Sequence, residues 1–89
     1  MNFGEALVAL KMGKRVGRMG WNGKGMFIFF VPGHTFEVNR PPLLGIYPRG
    51  ERITYCPHID MRTSDRRIVP WLCSQTDMLA DDWEEVNTL

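Results

Sequence analysis

The sequence predicts an α+β fold, a small antiparallel sheet packed against two short helices, in one domain spanning residues 1–89. Three observations carry this. A helical period opens the chain, several short apolar or alternating runs separated by Gly and Pro follow, and a capping pattern marks a second short helix near the end. A chain of 89 residues has room for one hydrophobic core. Such a domain buries only about 60 to 65% of its unfolded surface, so assembly into a homo-oligomer is the expected source of further burial.

Asn2 is placed to cap the first helix with Glu5 three residues on, and Phe3, Ala6, Leu7 and Leu10 recur at helical spacing. Gly13 is expected to stop it in the left-handed region, with Lys11 and Lys14 at the negative end of the helix dipole. Residues 14–19 read as a short strand and residues 20–25 as a turn rich in positive-φ formers. Residues 26–31 read as a buried strand closed by Pro32-Gly33. The stretch 34–50 is punctuated by Pro and Gly without a sustained period, and reads as a long loop or flap with at most a short strand. Residues 51–62 alternate, with Ile53, Tyr55, Pro57, Ile59 and Met61 on one face, which predicts one half-buried strand; Pro57 makes it an edge strand or a bulged one. Residues 63–66 are a hairpin connection and 67–71 the return strand. Ser74 to Asp77 has the form of a capping box opening the second helix, and residues 81–86 form a last strand or an extended tail.

Composition excludes several classes of function. Eleven Lys and Arg against ten Asp and Glu give a net charge of +1, too little field for a nucleic-acid polymer or an anionic membrane. Hydrophobic residues at 44% and charged residues at 24% are the usage of a folding chain, not a disordered one. The longest apolar run, Met26 to Val31, is six residues, against roughly 20 needed to span a bilayer. With no basic segment and long apolar stretch at the start, the expectation is a soluble protein of the cytoplasm. Cys56 and Cys73 read as reduced, packed thiols, with a single bridge between them the lesser alternative. Neither a CxxC nor an HExxH pattern accompanies His34 and His58, so no metal and no cofactor is expected. Glycines 20, 23 and 25 lead into a strand rather than a helix and do not make a phosphate loop.

What folding alone does not demand is Trp21 beside Asn22 in a glycine-rich turn, and Trp71 leading into Ser74, Gln75 and Asp77. An indole face can stack a base, while amides and carboxylates read base edges or sugar hydroxyls. Free backbone N–H groups near Ser74 would suit a phosphate, with Arg15 or Arg18 as a bidentate partner. Each residue also has a purely structural reading: Trp21 capping the core, Trp71 filling it, Ser74 capping its helix.

The segments Asn2 to Leu7, Gly13 to Val16, Gly20 to Met26 and Ile68 to Trp83 resemble a family of small phage proteins that includes the second type of Thoeris anti-defence protein. Its two signatures here are the Gly20-Trp21-Asn22-Gly23-Lys24-Gly25-Met26 turn and the block running from Pro70-Trp71 through Ser74-Gln75-Thr76-Asp77 to Trp83. Met19 and Cys73 depart from the family's pattern without removing a polar group. The resemblance implies a non-enzymatic molecular sponge that captures a cyclic ADP-ribose isomer in the infected bacterium's cytoplasm. It also implies a homotetramer with ligand held between subunits. Ligand contacts are then expected from Trp21, Asn22, Asn39, Trp71, Ser74, Gln75, Asp77, Arg15 and Arg18, with Trp83 in the core. Two other classes remain open: an enzyme that cleaves the cyclic nucleotide, and a protein-binding inhibitor using the exposed Trp and the loop 39–47.

Overall fold

A computed structural model describes every residue except Asn22, Gly23, Thr88 and Leu89. The chain runs α1 (Phe3–Lys11), β1 (Val16–Arg18), β2 (Phe27–Val31), β3 (His34–Glu37), β4 (Arg52–Tyr55), β5 (His58–Arg62), β6 (Ile68–Pro70), α2 (Gln75–Met78) and β7 (Trp83–Glu85). Five strands form one antiparallel sheet in the order β6-β5-β2-β1-β7, and β3 and β4 form a separate two-stranded ribbon. The fold is therefore α+β with a small antiparallel sheet and two short helices, as the sequence predicts.

Helix α1 starts on a complete capping box. The Asn2 side chain accepts from the Glu5 N–H and the Glu5 carboxylate accepts from the Asn2 N–H, at 2.8 and 2.9 Å. It ends at Met12, and Gly13 follows at φ +87°. The helix lies on the sheet against β7, β2 and β1. The core forms between them from Ala6, Ala9, Leu10, Val16, Ile28 and Trp83, each at most 5% exposed. Alternation sorts the strands: Ile28 and Phe30 of β2 join this core with Met61 and Ile59, their partners on β5. Phe27 and Phe29 take the other face, with ring centroids 6.0 Å apart.

The predicted single strand 51–62 is divided. It breaks at Cys56-Pro57 into β4 and β5, which belong to different sheets. The facing chain breaks at the same level, at Pro32-Gly33, so the pairing Val31↔His58 ends one ladder and His34↔Tyr55 begins the next. The reason is local. Two prolines lacking N–H donors sit in the opposed links, and the links approach so closely that a Cβ on Gly33 would lie 2.3 Å from the Tyr55 carbonyl oxygen. The ribbon is the β2–β5 pair continued past a bend, and it helps to draw the molecule out to 46 × 26 × 25 Å. Within the stretch 34–50 the structure places β3, then a Val38 that is 1% exposed, then turns around Leu44 and Tyr47.

Candidate functional site

A cavity of about 540 Å³ lies where the ends of β1 and β5 meet the start of β2, beside β7. Its walls include Arg18, Met19 and Trp21, then Lys24 to Met26 of the signature turn, Arg62 and Ser64 and Arg66 of the β5–β6 hairpin, and Glu84 and Val86. Arg62 and Glu84 alternate with the core residues Met61 and Trp83 and so lie on the opposite face of the sheet, whereas Arg18, paired with Trp83, reaches the cavity from the core face.

Bordering this cavity is a polar network in which Arg18 of β1 joins the two signature segments. Arg18 donates through Nε to Asp82 Oδ1 at 2.7 Å and through Nη1 to Asp77 Oδ1 at 2.8 Å. The Trp21 indole N–H donates to the same Asp77 oxygen at 3.2 Å, and the Trp83 indole N–H donates to the Asp77 backbone carbonyl at 2.9 Å. Asp82 also accepts from the Gly20 N–H at 2.9 Å. Donating to the Asp82 and Asp77 carboxylates, and attracted by their negative charge, the Arg18 guanidinium is held further toward its protonated form than usual. The hydrogen bond from Arg18 correspondingly holds the Asp82 carboxyl below the ordinary range. For Asp77, burial favours the neutral acid, but hydrogen bonds from Arg18, Trp21 and Ser74 outweigh it and the carboxyl also lies low. Burial, followed by the Asp77 charge, pushes the Cys73 thiol up; Cys73 and the exposed Cys56 are free thiols. Among the described residues no group of three or more His, Cys, Asp or Glu is placed to hold a metal ion.

The described residues expected at a ligand site fall into five places. Trp21 and Arg18 line the large cavity, and Asp77 is bonded to both. Trp71 lines a different cavity of about 370 Å³, beside α1 with Phe3, Leu7, Phe30 and Ile59. Asn39 lies in a third, of about 380 Å³, on the ribbon with His34, Phe36 and Tyr55. Arg15 stacks on the Phe27 ring at 5.3 Å. Ser74 caps α2 by accepting from the Asp77 N–H at 3.0 Å, and Gln75 is exposed in that helix. Asn22 lies outside the described residues.

Within one chain, then, Trp21 and Trp71 do not share a pocket; each packs edge-on against the buried Trp83, at 5.3 and 6.1 Å. Arg18, expected as a phosphate partner, has its guanidinium turned to two carboxylates, and the second half of the expected capping box is replaced by the Asp77 side chain turning to Arg18 and Trp21. Lys24, Arg62 and Arg66, which residue type alone does not single out, line the cavity without an ion pair among the described residues. A signal was present in each case: Lys24 inside the signature turn, Arg62 on the polar face of an alternating run, and Arg66 at a hairpin tip.

No helix of the described residues is long and apolar enough to cross a membrane. Residues 1–86 match the family model of the Thoeris anti-defense 2-like domain. The chain is also 39% identical, over 97 aligned positions, to "Thoeris anti-defense 2" of Bacillus phage SP01, covering 98% of this chain and 96% of that protein. The likeness thus includes the ribbon and its loop as well as the two signature segments. The chain belongs to the Thoeris anti-defense 2-like family.

Proposed function

We propose that this anti-defense protein acts as a sponge, binding and sequestering a cyclic ADP-ribose isomer in the cytoplasm of the infected bacterium without turning it over. The observation that carries this reading is the cavity at the signature turn, which combines the Trp21 indole with Lys24, Arg62 and Arg66. Its volume of about 540 Å³ falls within the usual range for small-molecule sites. An adenine offers a ring to stack on, ribose hydroxyls offer hydrogen bonds to Ser64 and Glu84, and a pyrophosphate matches the cations.

Sequestration acts by mass action. The sponge must bind more tightly than the receptor it starves and be present at the concentration of the signal. A nanomolar constant corresponds to about −12 kcal/mol, within reach of one stacked base and several charge-assisted hydrogen bonds. Assembly into a homo-oligomer, a tetramer, belongs to the same reading. Leu72 is 91% exposed, Leu79 77% and Ile46 69%, apolar surface that a second copy would cover. A partner subunit could also bring Trp71 or Asn39 to the cavity that one chain leaves without them.

The test is calorimetric titration with a cyclic ADP-ribose isomer, followed by heat denaturation and recovery of the ligand. Tight binding with intact ligand returned in stoichiometric amount is the expected result. Linear ADP-ribose accumulating in excess over protein would place the chain among nucleotide-cleaving enzymes. Absence of binding, with capture of a host protein instead, would favour a protein-directed inhibitor. Sedimentation at micromolar concentration tests the assembly, where a species of 10.3 kDa would reject it.

A further inference from the structure

We propose that Arg66 is a ligand-directed cation of the large cavity, held at the tip of the β5–β6 hairpin in a backbone conformation that the fold alone would give to glycine or asparagine. The proposal rests on the nucleotide-binding reading above and names the residue that reads the diphosphate. Arg66 has φ +68°, and it is the only non-glycine residue with positive φ among the described residues. In a hairpin whose turn ends on a left-handed residue, that position is the usual place of glycine, because a Cβ there meets the backbone.

Nothing in the turn asks for an arginine at 66. The turn closes through backbone and Thr63: Thr63 N–H to the Arg67 carbonyl at 2.8 Å, Arg66 N–H to the Thr63 carbonyl at 3.0 Å, and Arg67 N–H to Thr63 Oγ1 at 3.0 Å. Its single acid, Asp65, is taken by the Thr63 hydroxyl and by Arg67 Nε at 3.2 Å. The Arg66 side chain is left with no ion pair among the described residues, and it lines the cavity beside Arg62 and Lys24.

Arg62 is held in place by different means. Its Nη1 donates to the Gly25 carbonyl at 2.8 Å, and its guanidinium lies 5.6 Å from the Phe27 ring centroid. One fixed guanidinium and one presented from a strained turn form an anion clamp suited to a diphosphate, a group whose oxygens accept in pairs. Strain kept at one residue, with no structural return, is what a binding role at that residue predicts.

Stability and affinity should therefore move in opposite directions. Arg66→Gly and Arg66→Asn relieve the backbone and remove the charge, and each should raise Tm by a few degrees. Affinity for a cyclic ADP-ribose isomer should fall by about tenfold to a hundredfold, the loss of one hydrogen bond to a charged group. Arg66→Lys keeps both strain and charge, so its Tm should match wild type and its affinity should lie between wild type and Arg66→Gly. Titration calorimetry and thermal unfolding of the three variants read both effects. Wild-type affinity in Arg66→Gly overturns the assignment while leaving the sponge reading intact, and a lowered Tm in that variant overturns it too, since the guanidinium would then be structural. No binding by the wild-type protein rejects the sponge reading itself, and this assignment with it.

Discussion

Trp21 stands edge to face on Trp83, their ring centroids 5.3 Å apart at an interplanar angle of 80°, and both indole N–H groups end on Asp77. One carboxylate thus orders the indole that lines the cavity, while its own backbone carbonyl ties down the indole of the core. Asp77→Ala removes the acceptor for Trp21 and one of two partners of Arg18. It should destabilise the protein by about 1 to 3 kcal/mol, with Asp77→Asn milder because an amide oxygen still accepts one donor. Chemical denaturation gives the size, and loss of near-ultraviolet dichroism at temperatures where the fold persists would report the released Trp21.

Acid should act on the same network. Asp77 and Asp82 have carboxyls below their ordinary value in the folded protein. Between the folded and unfolded values the unfolded chain binds more protons, so stability rises with pH there. The contribution is complete above the ordinary carboxylate value and is lost as pH falls through the lower folded values. Tm should therefore decline below about pH 4. Asp77→Asn and Asp82→Asn should each flatten that decline, and an unchanged profile in both would assign the acid sensitivity elsewhere.

The three tryptophans should separate by experiment. Trp83 is 1% exposed in the middle of the core, and Trp83→Ala should cost about 3 to 5 kcal/mol of stability. Trp21→Ala should weaken ligand binding by about 1 to 3 kcal/mol, the usual worth of a base stacked on an aromatic ring. Trp71 lies against Phe3 and Trp83 beside α1 and away from the cavity. Its truncation should reduce affinity only in an assembled oligomer, so calorimetry paired with sedimentation on Trp71→Ala distinguishes a contribution across subunits from core filling.

Gly25 offers a way to disturb the cavity without removing a charge. It sits at φ +77°, and a Cβ there would come within 2.6 Å of Arg62 Nη1. Gly25→Ala should displace the Arg62 guanidinium and strain the turn, lowering Tm by several degrees and weakening ligand binding. Arg62→Ala alone should weaken binding with a smaller loss of Tm, and equal effects from the two changes on both measurements would contradict this account of the turn.

Much of the local structure was determined by the sequence itself. Asn2 and Glu5 make a complete capping box, Gly13 takes the left-handed position, and Ser74 caps α2, because caps and turns depend on residues within a few positions of each other. The alternation in 58–62 placed Ile59 and Met61 on the core side for the same reason, and the 82–84 segment set Trp83 in the core. Tertiary structure decided what depends on contacts across the chain. Pro57 alone is compatible with a bulge, an edge or a break; only the opposed Pro32-Gly33 link makes it a bend between two sheets. Arg18 and Asp77, 59 residues apart, look like free binding groups in sequence and become partners of each other when β1 meets α2. Lys24, Arg62 and Arg66 are unremarkable surface cations until the turn and the hairpin are brought to one cavity. Charge and stacking chemistry can be read from residue types, but whether a charge is satisfied depends on the distance to its partner, which the fold sets.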